Sequence, residues 1–157
     1  MNTEPAPEDT IGHLTTRTMA MPGDTNPAGD IFGGWVLSQM DIAGGICAGQ
    51  RAQNRVVTVS LDGMSFHRPV RVGDILGVYT RVERVGTTSV LVHVEAWVRR
   101  DRIGLREKVT SGRFKFVAVD EHGRPTPVPA VDRLPAYVRE KWGWLGAPSG
   151  DAPHGKA

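Results

Sequence analysis

The stretch from Ile31 to Gln50 constrains what this chain can fold into more than any other. It reads Ile-Phe-Gly-Gly-Trp-Val-Leu-Ser-Gln-Met-Asp-Ile-Ala-Gly-Gly-Ile-Cys-Ala-Gly-Gln and carries one formal charge, on Asp41. Trp35, Val36, Leu37, Met40, Ile42, Ala43, Ile46, Cys47 and Ala48 fall on every side of a 3.6-residue period. A helix that is apolar all round is a buried one. Glycines at 33, 34, 44, 45 and 49 each cost up to about 1 kcal/mol inside a helix, which makes sense where another backbone packs close. A carboxylate in such surroundings is costly unless something satisfies or uses it, so Asp41 is the first functional candidate. The length suits a bilayer. The central Asp, at roughly 2.5–3.5 kcal/mol on insertion scales, together with Ser38, Gln39 and the glycines, argues for a soluble core instead.

At 157 residues the chain reads as one domain. Its net charge of +2 comes from scattered rather than clustered basic residues, so it lacks the concentrated patch that nucleic acid needs. The single cysteine, Cys47, excludes an internal disulfide. The first twelve residues show neither a basic start nor an apolar run, and the expected compartment is the cytoplasm. The histidines at 13, 67, 93, 122 and 154 are dispersed without metal-ligand spacing, so no metal is expected.

Residues 1–12 read as a disordered tail, and Ile11–Met21 carries weak strand character. Pro22–Gly29 is a loop by its turn residues. Asp30 precedes the apolar helix, where a carboxylate suits capping and the helix dipole. Four strands follow. Val56–Leu61 alternates with Val57, Val59 and Leu61 on one face, and Gly63 marks a slip expected to be a bulge. Ile75–Val85 is next, with Leu76, Val78, Thr80 and Val82 on one face. Val85-Gly-Thr-Thr88 is a hairpin turn. Val90, Val92, Val94, Ala96 and Val98 make the cleanest period-two run in the chain. After a charged loop at Arg99–Gly104, the last strand, Leu105–Val119, shifts phase near Gly112. Asp120–Arg124 is a turn, and Leu134–Trp144 a short amphipathic helix within a C-terminal extension, 131–157, whose end is expected to be flexible. A long helix followed by long strands on short turns implies an α+β fold, an antiparallel sheet curled around that helix. Its sheet edges need cover, and a second copy is the simplest.

The run Met21-Pro-Gly-Asp-Thr-Asn-Pro-Ala-Gly-Asp-Ile-Phe-Gly-Gly-Trp-Val-Leu-Ser-Gln-Met-Asp41 resembles the signature of hotdog-fold acyl-CoA thioesterases of the YciA-like bacterial branch. The resemblance extends through Arg55–Ser60, Met64–Phe66, Pro69–Asp74, Val85–Ser89 and Phe116–Arg124. It implies a hotdog fold over residues 13–130 and hydrolysis of acyl-CoA to free acid and coenzyme A. It also implies a homodimer with shared active sites, often built into a hexamer as a trimer of dimers. It assigns Asp41 as the catalytic carboxylate and Phe32-Gly33-Gly34 as the element contacting the thioester carbonyl. No cofactor is implied, because coenzyme A belongs to substrate and product.

Thioester hydrolysis needs a polarised carbonyl, an activated attacking group and room for the acyl chain. Amides of Gly33 and Gly34 at a helix start suit the first need, and Asp41 the second, as general base or nucleophile. Asp41 lies about 10 Å along the helix from Gly34 at 1.5 Å per residue, so one subunit cannot easily place both at one carbonyl, whereas a dimer can. Ser60 or Thr58 is positioned to orient water. Trp35, Met40, Met64 and Phe66 are candidate walls of the acyl pocket. Arg68, Arg71, Arg84 and Arg113, with the turn Gly86-Thr87-Thr88, are candidates for the coenzyme A phosphates. Each has a bland rival: Asp41 as a structural carboxylate, Asp30 as a cap rather than a supporting acid, Gly33-Gly34 as packing, the arginines as solvated charges. Two other classes stay open, a hydroxyacyl-thioester dehydratase, which Phe32 in place of His disfavours, and a non-catalytic acyl-CoA-binding protein.

Overall fold

The computed structural model describes residues 12–100 and 104–142. The expected disordered tail, apart from Gly12, and the flexible C-terminal end lie outside the described residues, as does part of the charged loop after Arg99. Strand β1 (His13–Met19) leads through a loop to helix α1 (Gly33–Ala52). Strands β2 (Val56–Asp62), β3 (Ile75–Val85), β4 (Ser89–Arg99) and β5 (Arg106–Ala118) follow, then helix α2 (Ala136–Trp142). The strands form one antiparallel sheet in the order β1-β3-β4-β5-β2, and α1 packs against all five. This is the hotdog arrangement, one long helix held against a long curved sheet.

Alternation builds the core. Leu76, Val78, Thr80 and Val82 of β3, and Val90, Val92, Val94, Ala96 and Val98 of β4, are all buried. They meet Val36, Met40, Ala43, Cys47 and Ala48 of α1. The β3–β4 turn closes with the Gly86 amide donating to Ser89 O, as expected of a hairpin.

Three expectations need correction. First, α1 is not enclosed on all sides within one chain: Ile42 is 53% and Ile46 40% exposed. Second, the slip in β2 is at Val59, where the register shifts between Thr58 and Ser60, and not at Gly63. Thr58 and Leu61 thus lie opposite the buried Phe116 and Phe114, while Ser60 lies opposite Lys115. Val57, Val59 and Leu61 are all exposed and do not form a buried stripe. Third, the slip in β5 is at Val109 rather than Gly112, because Ala96 pairs with Thr110 and Trp97 with Lys108. Gly112 has another use: a Cβ there would lie 2.6 Å from Met64 Sδ, so the glycine makes room for Met64 over the strand.

β2 is an edge strand, and Val57, Val59 and Leu61 on it, like Ile42 and Ile46 of α1, are exposed. No helix among the described residues is long and apolar enough to cross a membrane.

Candidate active site

Helix α1 begins at Gly33, with Phe32 as the flanking residue and no side chain capping it. The expected cap, Asp30, does not serve. Its backbone is held instead by Asn26, whose side-chain oxygen accepts from the Ala28 and Asp30 amides and whose amide donates to Asp30 O. The Phe32 amide is taken by Asp24 O, and the first bonds into the helix come from Trp35 and Val36 to Phe32 O. The amides of Gly33 and Gly34 thus fall in the first turn, where intrahelical geometry offers donors no partner. A Cβ on Gly34 would meet nothing within 4 Å, and one on Gly33 only the Phe66 ring at 3.7 Å. In front of this turn is a cavity of about 320 Å³ lined by Ile31, Gly33, Val36, Phe66, His67, Arg68, Pro69 and Val70.

Asp41 lies two turns further along the helix, over β2. Thr58 donates from Oγ1 to Asp41 Oδ1 at 2.6 Å, the short distance expected of a hydroxyl on a carboxylate. Of the two hydroxyls expected to serve this position, the structure selects Thr58. Ser60 is turned away, because the bulge at Val59 puts it on the outer face beside Lys115. The bulge is what a plain alternating reading of β2 misses.

The other expected residues divide into separate groups. Phe66 and Arg68 join Gly33 at the cavity. Met64 is half-buried against Gly112. Arg84 lies opposite Leu91 on the outer face, and Arg113 is on that face too, bonded to Glu83 at 3.1 Å. These two arginines are not brought to Gly33 or to Asp41. Gly86 and Thr87 line a second cavity of about 510 Å³ with Arg51, Val85 and residues 127–132. The Gly86 amide is already engaged by Ser89 O, while Thr87 O accepts from Val128 and Thr88 O from Ala118. The turn therefore has one backbone donor, the Gly86 amide, and two carbonyl acceptors already taken within the fold. Arg51, absent from the sequence candidates, is buried and donates to Pro129 O at 2.6 Å. Its only sequence signal is a cation closing an otherwise apolar helix, where it also suits the dipole.

Cys47 is inert core. Burial raises its thiol to a pKa of about 11, against a smaller lowering from Thr80. No group of three or more His, Cys, Asp or Glu among the described residues could hold a metal ion.

Residues 28–104 match the family model of the thioesterase superfamily. The Escherichia coli acyl-CoA thioester hydrolase YciA is 53% identical over 121 residues, spanning 75% of this chain and 92% of the relative. A hexameric broad-specificity acyl-coenzyme A thioesterase superposes with a TM-score of 0.78 at 44% identity, covering 87% of this chain and 92% of that one. An acyl-CoA hydrolase from Staphylococcus aureus, solved with butyryl coenzyme A and coenzyme A, superposes at 0.67 with 31% identity over 73% of this chain and 70% of that one. That enzyme was also solved with one aspartate, and with one threonine, replaced by alanine. The two positions stand as far apart in its sequence as Asp41 and Thr58 do here, 17 residues.

Proposed function

Since the chain belongs to the YciA-like acyl-CoA thioester hydrolases of the thioesterase superfamily, we propose that it hydrolyses acyl-CoA at a site shared between two subunits, with Asp41 from one and the helix start from the other. The protein is an acyl-CoA thioesterase. The finer reading is carried by one observation: a carboxylate midway along an apolar helix, fixed by a 2.6 Å bond from Thr58, at the open edge of the sheet.

In this reading the thioester carbonyl oxygen lies against the amides of Gly33 and Gly34. The unpaired donors and the helix dipole there stabilise the developing oxyanion. The exposed apolar surface of β2 and α1 is covered by a second copy, as edge strands require. Antiparallel pairing of two β2 strands brings the helix start of one protomer, which lies against Phe66 just beyond the end of its β2, toward Asp41 of its partner. Dimers then assemble into a hexamer, the state carried by the broad-specificity relative.

Thr58 occupies Asp41 Oδ1 and directs the other oxygen to the reacting carbonyl. As general base, Asp41 takes a proton from water while the water oxygen adds to the carbonyl carbon. Collapse breaks the C–S bond, and the proton passes to the departing thiolate. As nucleophile, the carboxylate itself adds and the C–S bond breaks to expel the coenzyme A thiolate; water then hydrolyses the mixed anhydride to the free acid, regenerating the carboxylate, and the proton this releases goes to the thiolate. Phe32, Phe66 and Met64 bound the acyl group, and Arg68 stands at the mouth for coenzyme A phosphate. Asp30 shapes the loop ahead of the helix. Thr87 and Thr88 offer hydroxyls further along. The chemistry asks for no metal or added cofactor.

Thiol release from acetyl-, hexanoyl- and palmitoyl-CoA tests the reading. Wild type is expected to turn over at least one chain length, and Asp41→Asn to lose about a thousandfold in kcat or more while keeping its assembly, as removal of a chemical group does. Normal turnover by a folded Asp41→Asn protein overturns the assignment. Label in the Asp41 side chain after a single turnover in ¹⁸O-water identifies nucleophilic attack with water opening the anhydride at the aspartyl carbon, since general-base catalysis puts the label only in the free acid.

A further inference from the structure

We propose that Gly44 is a positioning residue for the reaction: it sets the height of α1 above the sheet, and with it the Asp41–Thr58 hydrogen bond. The inference rests on the reading of Asp41 as the catalytic carboxylate.

Two contacts on the same stretch of helix carry it. Asp41 and Gly44 are three residues apart, hence neighbours on one helix face. Their partners are neighbours on the sheet: Thr58 of β2 lies directly opposite Phe116 of β5. Asp41 stands on Thr58 at 2.6 Å, and Gly44 stands on the Phe116 ring. A Cβ at position 44 would lie 2.9 Å from Phe116 Cζ, 3.0 Å from Cε2 and 3.4 Å from Val94 Cγ2. The ring has little room to retreat. Phe116 is 2% exposed and stacks on Phe114 with centroids 6.4 Å apart and planes 16° from parallel. Val94 beside it is fully buried.

Carbon atoms settle at about 3.5–4.0 Å, so a methyl at position 44 lifts the helix by about 0.6 Å or more. A 2.6 Å bond stretched by that amount passes the range of a good hydroxyl–carboxylate contact. Glycine is therefore placed where the catalytic helix must approach closest, one turn from the carboxylate it delivers. Gly49 is the natural comparison. A Cβ there meets only Asn54 O, at an ordinary 3.6 Å.

The test is a set of variants assayed by thiol release, with assembly state and melting checked for each. Gly44→Ala is expected to lower kcat about tenfold, the loss of one charge-assisted hydrogen bond, with KM within about twofold. Gly49→Ala should match wild type. In a Thr58→Val background, Gly44→Ala should cost little more, because the bond it disturbs is already gone. Phe116→Leu combined with Gly44→Ala should return kcat to within about twofold of Phe116→Leu alone, which also decides the matter if Gly44→Ala by itself does not fold. Additive losses with Thr58→Val, an equal loss in Gly49→Ala, or no rescue by Phe116→Leu overturns the inference. Full activity of Gly44→Ala beside a dead Asp41→Asn overturns it alone, whereas an active Asp41→Asn overturns the reading beneath it as well.

Discussion

Single residues on α1 show how differently one helix treats its polar groups. Asp41 is half-buried with a hydroxyl partner, whereas the Cys47 thiol sits in the core with its pKa raised to about 11 by burial. The thiol has a testable consequence. Its folded pKa lies above that of the unfolded chain, so the unfolded state releases the proton first as pH rises. The contribution of Cys47 to stability is therefore complete below about pH 9 and declines toward pH 11. Urea titrations across that window should show a steeper alkaline loss for wild type than for Cys47→Ala. A disulfide reagent should label the native protein slowly and the denatured one at once. Fast labelling of the native protein would place the thiol outside the core.

Among the elements, β2 and the connection after it do the most to shape the site. The bulge at Val59 turns Thr58 toward Asp41 and Ser60 away. The chain then lays Met64 across Gly112 of β5 before reaching Phe66 at the helix start. Because a Cβ at 112 would lie 2.6 Å from Met64 Sδ and 3.3 Å from Asp62 O, Gly112→Ala overpacks this crossing. The expected cost is about 1–3 kcal/mol, read as a lower urea midpoint with unchanged slope. Met64→Ala should relieve part of it in the double variant. An unchanged midpoint in Gly112→Ala would mean that the connection moves freely over the strand.

At the scale of the molecule, one chain is incomplete on its β2 side. Val59 is 51% exposed on β2, an edge strand that has hydrogen-bonding groups to offer, and Ile42 of α1 is 53% exposed. A lysine at position 59 charges that edge, a device natural sheets use to block pairing. Val59→Lys should run as a monomer in light scattering and lose thiol release together with assembly, although Asp41 and Gly34 are untouched. A monomeric variant with full turnover would show that one chain holds the whole site, against the shared arrangement proposed above.

Much of this was legible before any coordinates. The period-two runs of β3 and β4, the hairpin at Gly86 and the turn at Asp120 follow from local pattern, because alternation and turn chemistry act over a few residues. Asp41 stood out because a charge in an apolar helix has to be explained. Other features depended on how distant segments meet. The bulge at Val59 is fixed by pairing with β5, and Asp30 lost its capping role to a loop closed by Asn26. The exposed stripe on α1 depends on which side of the helix the sheet leaves open. The closeness of Gly44 to Phe116, 72 residues away in the chain, is a contact that only packing brings about. Local chemistry named the carboxylate; the tertiary fold chose which hydroxyl it touches and how near the helix may come.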